Sequence, residues 1–185
     1  MKAIHYTFVL STILMVSCFG SRDYIVESDY SYSGDFKKYK TFAFVNQQRN
    51  DIDSIIPEDL IMKSIKHRMS ILGYEQSDHK PNLLIAFRMY YDNFTFNGWS
   101  QPEIEFWLEQ EGMIEEEFKE IKYNLKEGTL LILLVDRRKK KTVWQGYNSG
   151  LIDITSLDND RFIRGSVRLI FEKYRVFADG YLTES

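Results

Sequence analysis

The sequence predicts an α+β fold: a mostly antiparallel sheet of about five strands, two amphipathic helices on one sheet face, and an acidic helical insert. Two observations carry this prediction. Segments with strand and helix periodicity follow one another in the order two strands, helix, three strands, helix. Aromatic residues make up 15% of the chain, with 12 Tyr and 13 Phe, and this favours a sheet-rich core over a helical bundle.

The N-terminus has the pattern of a bacterial export signal. Lys2 gives a positive start, Tyr6–Val16 is mostly apolar, and a small residue precedes Cys18. The end of this stretch resembles a bacterial lipobox, which implies that residues 1–17 are removed and that Cys18 carries the lipid. A plain secretory peptide is the open alternative. A transmembrane helix fits poorly, because the whole apolar stretch from Ile4 to Val16 has 13 residues where a span needs about 20.

The rest of the chain is predicted to form one domain. We interpret 18–24 as a lipidated tether, 25–175 as the domain, 97–126 as an insert within it, and 176–185 as a fraying C-terminal tail. Cys18 is the only cysteine, so the domain folds without a disulfide. The net charge is −3, and this mildly acidic balance argues against nucleic acid as a partner.

The first half of the domain predicts two strands and a helix. Arg22–Tyr32 alternates with period two, and Thr41–Val45 is aromatic and β-branched, so each predicts a strand. From Pro57 to Leu72 the apolar spacing is helical, and Gly73 is suited to end the helix. The predicted buried stripe is Leu60, Ile61, Ser64, Ile65, Met69 and Leu72.

The second half predicts three strands and a second helix. Asn82–Phe96 alternates as one long strand, and Gly128–Val135 is almost wholly apolar, as in a strand covered on both faces. Gly128–Val135 and Thr142–Ile154 are predicted to form a hairpin, and Gly146 suggests a bulge or a bend in its second strand. Asp158–Tyr174 predicts an amphipathic helix.

The insert, residues 97–126, is distinguished by its acidity. Residues 103–120 contain eight glutamates and one lysine among scattered apolar residues. Ser100 followed three residues later by Glu103 is a fair capping box. We therefore predict one or two acidic, partly amphipathic helices.

Several short blocks together are similar to a known family. They are Asp35-Phe36 with Tyr39-Lys40-Thr41-Phe42-Ala43-Phe44, Gly128-Thr129 through Val135-Asp136, Val143-Trp144-Gln145-Gly146, and Ser166-Val167 with Ile170-Phe171 and Tyr174. In these blocks the chain resembles the lipoproteins grouped as domain of unknown function family 4136, over roughly Tyr24 to Tyr174. The resemblance implies an envelope lipoprotein of α+β fold, and it implies no mechanism and no catalytic residue.

The sequence offers little for catalysis or metal binding. His67 and His79 have no second ligand at zinc spacing, and no nucleophile motif, phosphate loop or dinucleotide fingerprint occurs. We predict no cofactor and no metal. Glu115, Glu116 and Glu117 could bind a cation, but a solvated helix face explains them better.

Two clusters remain as candidates for binding. Arg137, Arg138, Lys139, Lys140 and Lys141 form a basic hairpin tip, which could contact an anionic partner or merely solubilise the turn. The aromatic cluster is either core packing or a groove for an apolar or glycan ligand. The aromatic cluster comprises Tyr90, Tyr91, Phe94, Phe96, Trp99, Phe106 and Trp107.

These features favour a lipid-anchored, non-enzymatic binding or structural protein of the cell envelope, at the outer membrane and facing the periplasm. Its expected partners are the membrane, through Cys18, and an envelope protein or wall polymer. A carboxylate-dependent hydrolase of envelope glycans is the alternative, and it requires two carboxylates in one concave pocket. A carrier of a small apolar ligand requires an apolar cavity beneath the aromatic cluster.

Overall fold

The structure is a computed structural model that describes residues 24–45, 58–99, 120–150 and 160–180. These ranges contain strands, two α-helices and a short 3₁₀ helix, Phe36–Lys38. The strands are β1 (Ile25–Tyr30), β2 (Thr41–Phe44), β3 (Glu75–Gln76), β4 (Leu83–Tyr90), β5 (Phe94–Trp99), β6 (Glu120–Leu125), β7 (Thr129–Asp136) and β8 (Lys141–Ser149). The helices are α1 (Glu58–Ile71) and α2 (Asp160–Glu172).

Six strands form one mixed sheet in the order β1-β8-β7-β4-β2-β3, and β5 pairs with β6 in a separate two-stranded sheet. β1, β8, β7 and β4 are antiparallel neighbours, whereas β2 runs parallel to β4 and β3. The α+β class and the mostly antiparallel sheet are thus confirmed. The additional strand, β3, has only two residues, both exposed, which leaves no periodic signal in the sequence.

The register of β4, β7 and β8 gives the sheet two unlike faces. On the first face Ile85 lies opposite Leu134, which lies opposite Trp144, and all three are at most 1% exposed. On the second face Leu131 and Leu133 are only half-buried. Gly128–Val135 was expected to be covered on both faces, but the β7 residues alternate between buried and half-buried.

Buried residues of both helices belong to the hydrophobic core of the domain. All six residues of the predicted stripe in and after α1 are buried. Phe171 of α2 and Tyr174, two residues after the end of α2, both contact Trp144. Their ring centroids lie 5.7 Å and 5.0 Å from the centroid of the Trp144 ring. Gly146 lies beneath α2, where an added Cβ would be 2.5 Å from the Trp144 ring and 2.7 Å from Ile170 Cγ2. In the described residues, no helix is long and apolar enough to cross a membrane.

Two predictions about the middle of the chain are wrong. The long strand predicted for Asn82–Phe96 is interrupted after Tyr90, and the chain begins a new strand, β5, at Phe94. The insert predicted as helical contains β6 at its end, because Tyr123 and Leu125 alternate with polar residues and pair with β5. The side chain of Asn93 stabilises the intervening turn by accepting a hydrogen bond from the Glu127 amide at 2.8 Å. Residues 100–119 of the insert lie outside the described part.

The segment after α2 packs onto the domain rather than fraying as expected. Val176 is fully buried and Ala178 is 6% exposed. The Ala178 amide donates a hydrogen bond to the Leu72 carbonyl at 2.9 Å. The Tyr74 and Tyr174 hydroxyls are 2.7 Å apart. Two small apolar side chains are too few to produce a periodic pattern, but they suffice to dock the segment once α1 and α2 are in place.

Candidate functional site

A cleft of about 250 Å³ lies on the second face of the sheet, next to the hairpin of β5 and β6. Strands β4, β5, β7 and β8, with the residue at the end of β6, all contribute to it. Its walls are mainly aromatic and aliphatic. The lining residues are Tyr90, Phe94, Leu125, Thr129, Leu131, Gln145 and Tyr147.

Aromatic contacts define the walls of the cleft. Tyr90 ends β4 and Phe94 begins β5, so the turn between them brings their ring centroids to 4.5 Å. Tyr123 of β6 meets Tyr147 of β8 edge to face at 6.1 Å. The guanidinium of Arg88 lies 5.2 Å from the Tyr90 ring centroid, a cation–π distance. The hairpin and the sheet are therefore joined by rings on both sides of the cleft.

The polar groups of the cleft are few. Gln145 donates a long hydrogen bond from Nε2 to Asp29 Oδ2 at 3.4 Å. Thr129 donates from its hydroxyl to the Lys126 carbonyl at 2.6 Å. Burial raises the pKa of the Asp29 carboxyl to about 6, although hydrogen bonds from Tyr30 and Gln145 oppose the rise. Burial likewise raises the pKa of the Tyr147 hydroxyl, with a further contribution from nearby acidic groups.

The structure divides the predicted aromatic cluster. Tyr90 and Phe94 line the cleft, whereas Tyr91 packs against the core of the first face. Phe96 and Trp99 lie on β5, where their backbones pair with Tyr123 and Glu120. Phe106, Trp107, Glu115, Glu116, Glu117 and Cys18 lie outside the described residues.

Most of the cleft lining was not selected from the sequence. Leu131, Gln145 and Tyr147 come from the predicted hairpin, where alternation assigns them to the face opposite Trp144. Trp144 and Tyr147 do lie on opposite faces, as predicted from their spacing. Alternation along the β7–β8 hairpin was therefore the sequence signal for these three cleft residues. The position of β5 and β6 above that face depends on tertiary packing, which leaves no local pattern in the sequence.

The basic hairpin tip is ordered by one buried carboxylate, Asp136. Its Oδ1 accepts hydrogen bonds from the amides of Arg138 and Lys139, both at 2.8 Å, and its Oδ2 accepts one from the Tyr39 hydroxyl at 2.8 Å. Burial alone would raise the pKa of this carboxyl, but these donors and the Lys139 charge hold it below its usual value. The tip thus has a defined shape, and all of its cations except the half-buried Arg137 are exposed.

Two kinds of chemical site, a metal centre and a pair of carboxylates in the cleft, are not found among the described residues. The described residues include no cluster of three or more His, Cys, Asp or Glu side chains that could hold a metal ion. Carboxylates are also absent from the residues that line the cleft, as far as the described ranges show.

Comparison with protein families decides the classification. The profile of the family described as "Domain of unknown function (DUF4136)" matches residues 26–174. This chain belongs to the DUF4136 family. The resemblance drawn from the sequence blocks is therefore confirmed at the level of the family. None of the curated proteins searched matches the chain.

One solved structure with a TM-score above 0.5 agrees with the DUF4136 assignment at the level of the fold, and two others are more distantly similar. A DUF4136 family protein from Bacteroides thetaiotaomicron is 17% identical, with a TM-score of 0.52; the match covers 82% of this chain and 96% of that one. A PDZ domain protein from Parabacteroides distasonis is 18% identical with a TM-score of 0.49, covering 82% of this chain and 36% of that one. A PelC dodecamer from Paraburkholderia phytofirmans is 6% identical with a TM-score of 0.37, covering 81% and 95%.

Proposed function

We propose that this protein is a lipid-anchored, non-enzymatic binding protein of the cell envelope, and that its cleft takes a small, largely apolar ligand. One observation carries the choice of binding: an aromatic cleft of about 250 Å³ on the second face of the sheet. Pockets for small ligands are typically lined by aromatic and aliphatic side chains with a few polar groups that orient the ligand.

The layer arrangement supports this use of the second face. We propose that both helices cover the first face, since the buried residues of α1 and α2 share one core with that face. The second face then keeps half-buried aliphatic residues, such as Leu131 and Leu133, beside the cleft. An apolar ligand that covers them would remove this surface from water, at about 25 cal/mol per Å².

The chemistry of the walls sets the ligand class. Tyr90, Phe94 and Leu131 offer apolar surface, while the Gln145 amide offers a single adaptable polar contact. A ligand with an apolar body and one or two polar atoms satisfies both. The volume suits a single ring or a short acyl segment rather than a whole lipid.

The anchor completes the proposal. Cys18 would hold the protein to the outer membrane through its lipid, and residues 18–24 would connect the lipid to β1, which begins at Ile25. The domain would then face the periplasm, where it can meet ligands close to the bilayer.

The cleft is tested by filling it. In Leu131→Trp the indole would occupy the cleft, and we expect binding of the neutral fluorescent probe N-phenyl-1-naphthylamine to the full chain in detergent to weaken by roughly tenfold or more. Leu133→Trp is the matched control, because Leu133 lies on the same face of β7, two residues further, and does not line the cleft. Fluorescence titration measures both variants.

Two results would reject the cleft as a binding site. One is the absence of saturable probe binding to the wild-type protein. The other is equal weakening by Leu131→Trp and Leu133→Trp, since probe binding would then depend on the sheet face in general. Thermal denaturation of each variant verifies that the comparison is made between folded proteins.

A further inference from the structure

The cations at one end of the sheet come from three loops that hydrogen-bond to one another. The tip after β7 is joined to the loop before β4, because Arg137 donates from Nε to the Pro81 carbonyl at 2.7 Å. It is joined to the loop after β1, because Lys139 Nζ donates to the Ser33 carbonyl at 2.5 Å. The amide of Lys40 donates to Asn82 Oδ1 at 2.8 Å, which adds the start of β2.

This shared surface, which we call the basic end, is far more basic than the hairpin tip alone. Nine cations belong to its loops, while the chain as a whole has a net charge of −3. All of them except the half-buried Arg137 are exposed. The basic end comprises Lys37, Lys38, Lys40, Lys80, Arg137, Arg138, Lys139, Lys140 and Lys141.

Acidic groups near the basic end neutralise it only in part. Asp136 is 5% exposed and accepts hydrogen bonds from the amides of the tip. Asp35 forms an ion pair with Lys38 at 2.5 Å. Glu75 and Asp78 are exposed on the neighbouring loop, as is Asp179 on the segment after α2. With Asp29, which lines an adjoining cleft, six carboxylates therefore face nine cations, and a positive potential remains.

A second cleft adjoins the basic end and offers different chemistry. It has a volume of about 470 Å³, and its lining includes Tyr32, Ser31, Ser33, Thr142 and Lys141, together with the half-buried carboxyl of Asp29. Tyr32 is 43% exposed. An aromatic face beside hydroxyls and an ammonium group is suited to a sugar ring that bears an acidic substituent, because sugar C–H faces pack on aromatic rings and Lys attracts the anion.

The strand register places the basic end away from the start of the domain. Ile25, where β1 begins, pairs with Ser149, whereas Tyr30 pairs with Trp144 near the tip. β8 spans nine residues, so the two ends are separated by roughly 25 Å. The seven residue steps from Cys18 to Ile25 reach about 23–25 Å at full extension, so the basic end would reach the bilayer that holds the proposed lipid only with this stretch fully extended along the domain.

We propose that the basic end, together with the adjoining Tyr32 cleft, binds an anionic polysaccharide. Many exposed, flexible lysines without a surrounding apolar patch suit a hydrated, repeating polyanion better than a protein interface, whose centre is apolar and poor in lysine. This proposal does not depend on the ligand proposed for the first cleft. Only the orientation of the basic end away from the membrane rests on the proposed lipid anchor.

The test measures binding of the full chain in detergent to polygalacturonate, a carboxylate polysaccharide, with neutral dextran as the reference polymer. We expect saturable binding of polygalacturonate that weakens at least tenfold between about 50 and 500 mM salt. The triple variant Arg138→Gln, Lys140→Gln, Lys141→Gln loses three weak surface ion pairs. At the lower salt concentration we therefore expect it to bind polygalacturonate about tenfold more weakly than the wild type.

A matched triple variant controls for overall charge. Lys63→Gln, Lys66→Gln and Lys173→Gln remove three exposed cations from the helical side, and polygalacturonate binding should stay within about twofold of the wild type. The tip variant should also retain N-phenyl-1-naphthylamine binding, which separates this surface from the first cleft and shows that the fold is intact.

Four results would overturn the proposal. These are no polygalacturonate binding by the wild type, equal binding of dextran, equal losses in the two triple variants, and tighter binding of polyglutamate, or of phosphatidylglycerol vesicles by Cys18→Ala protein without detergent, than of polygalacturonate. Preference for polyglutamate would identify an acidic protein as the partner, and preference for the vesicles would identify a membrane surface.

Discussion

Asp29 shows how one residue can oppose stability in this fold. It lies on β1, the edge strand, where its carboxyl is half-buried and receives a side-chain hydrogen bond only at 3.4 Å from Gln145. Desolvation therefore outweighs hydrogen bonding, and the pKa rises from 3.8 to about 6. The folded protein binds this proton more tightly than the unfolded chain, so the contribution is most favourable below pH 4 and is lost as the pH rises through about 6.

Replacing this carboxyl should stabilise the protein at high pH. We expect Asp29→Asn to raise the free energy of unfolding by about 1 kcal/mol at pH 8, a figure reduced for partial solvent screening, and the gain should vanish near pH 4. Urea denaturation at several pH values measures the difference. Exposed Asp92→Asn is the control, and a gain that is independent of pH would show that ionisation of Asp29 is not its cause.

At the scale of elements, the segment after α2 belongs to the domain. Residues 175–180 have no periodicity, yet Val176 is buried among core residues and the Ala178 amide donates to Leu72 at the end of α1. Tyr74 adds a long hydrogen bond from its hydroxyl to the Val176 carbonyl at 3.4 Å. The segment therefore ties the ends of the two helices together.

Truncation separates this role from that of the final residues. Ending the chain after Tyr174 should lower the free energy of unfolding by about 2–4 kcal/mol, because it exposes the site of a buried valine and removes a backbone hydrogen bond. Ending it after Gly180 keeps those contacts and should change stability by less than about 0.5 kcal/mol. Urea denaturation compares the two. Equal stability of both truncated chains would contradict the docked segment.

For the whole molecule, polarity along the sheet is the main feature. The start of β1 lies at one end and the basic end at the other, while the aromatic cleft opens on the face opposite Trp144. With a lipid on Cys18, the protein would hold its basic end outward from the membrane and its cleft to the side. Anchor and binding surfaces would then be free to act together.

The anchor itself has a direct test in the producing bacterium. We expect the wild-type protein to incorporate labelled palmitate and to enter the detergent phase on cloud-point separation, because acyl chains add about 0.8 kcal/mol per buried CH₂. Cys18→Ala should abolish the label and move the protein to the aqueous phase. Labelled Cys18→Ala protein, or unlabelled wild-type protein, would disprove lipidation at this residue.

The sequence by itself determined the elements whose pattern is local. The stripe from Leu60 to Leu72 predicted α1, and the apolar run Gly128–Val135 followed by a basic turn predicted the hairpin of β7 and β8. Short blocks such as Val143-Trp144-Gln145-Gly146 pointed to the family. These signals can be read from the sequence because buried residues recur at every second position of a strand and at every third or fourth position of a helix.

Only the tertiary structure decided what the elements form together. Gly146 is predicted from the sequence to mark a bulge or a bend, yet the register shift lies near Leu134 and Val135, and the glycine makes room for Trp144 and Ile170. The break after Tyr90 turned one predicted strand into two and brought Phe94 back onto Tyr90. Strand pairing and docking depend on residues far apart in the chain, so neither the cleft nor the basic end could be read from local periodicity.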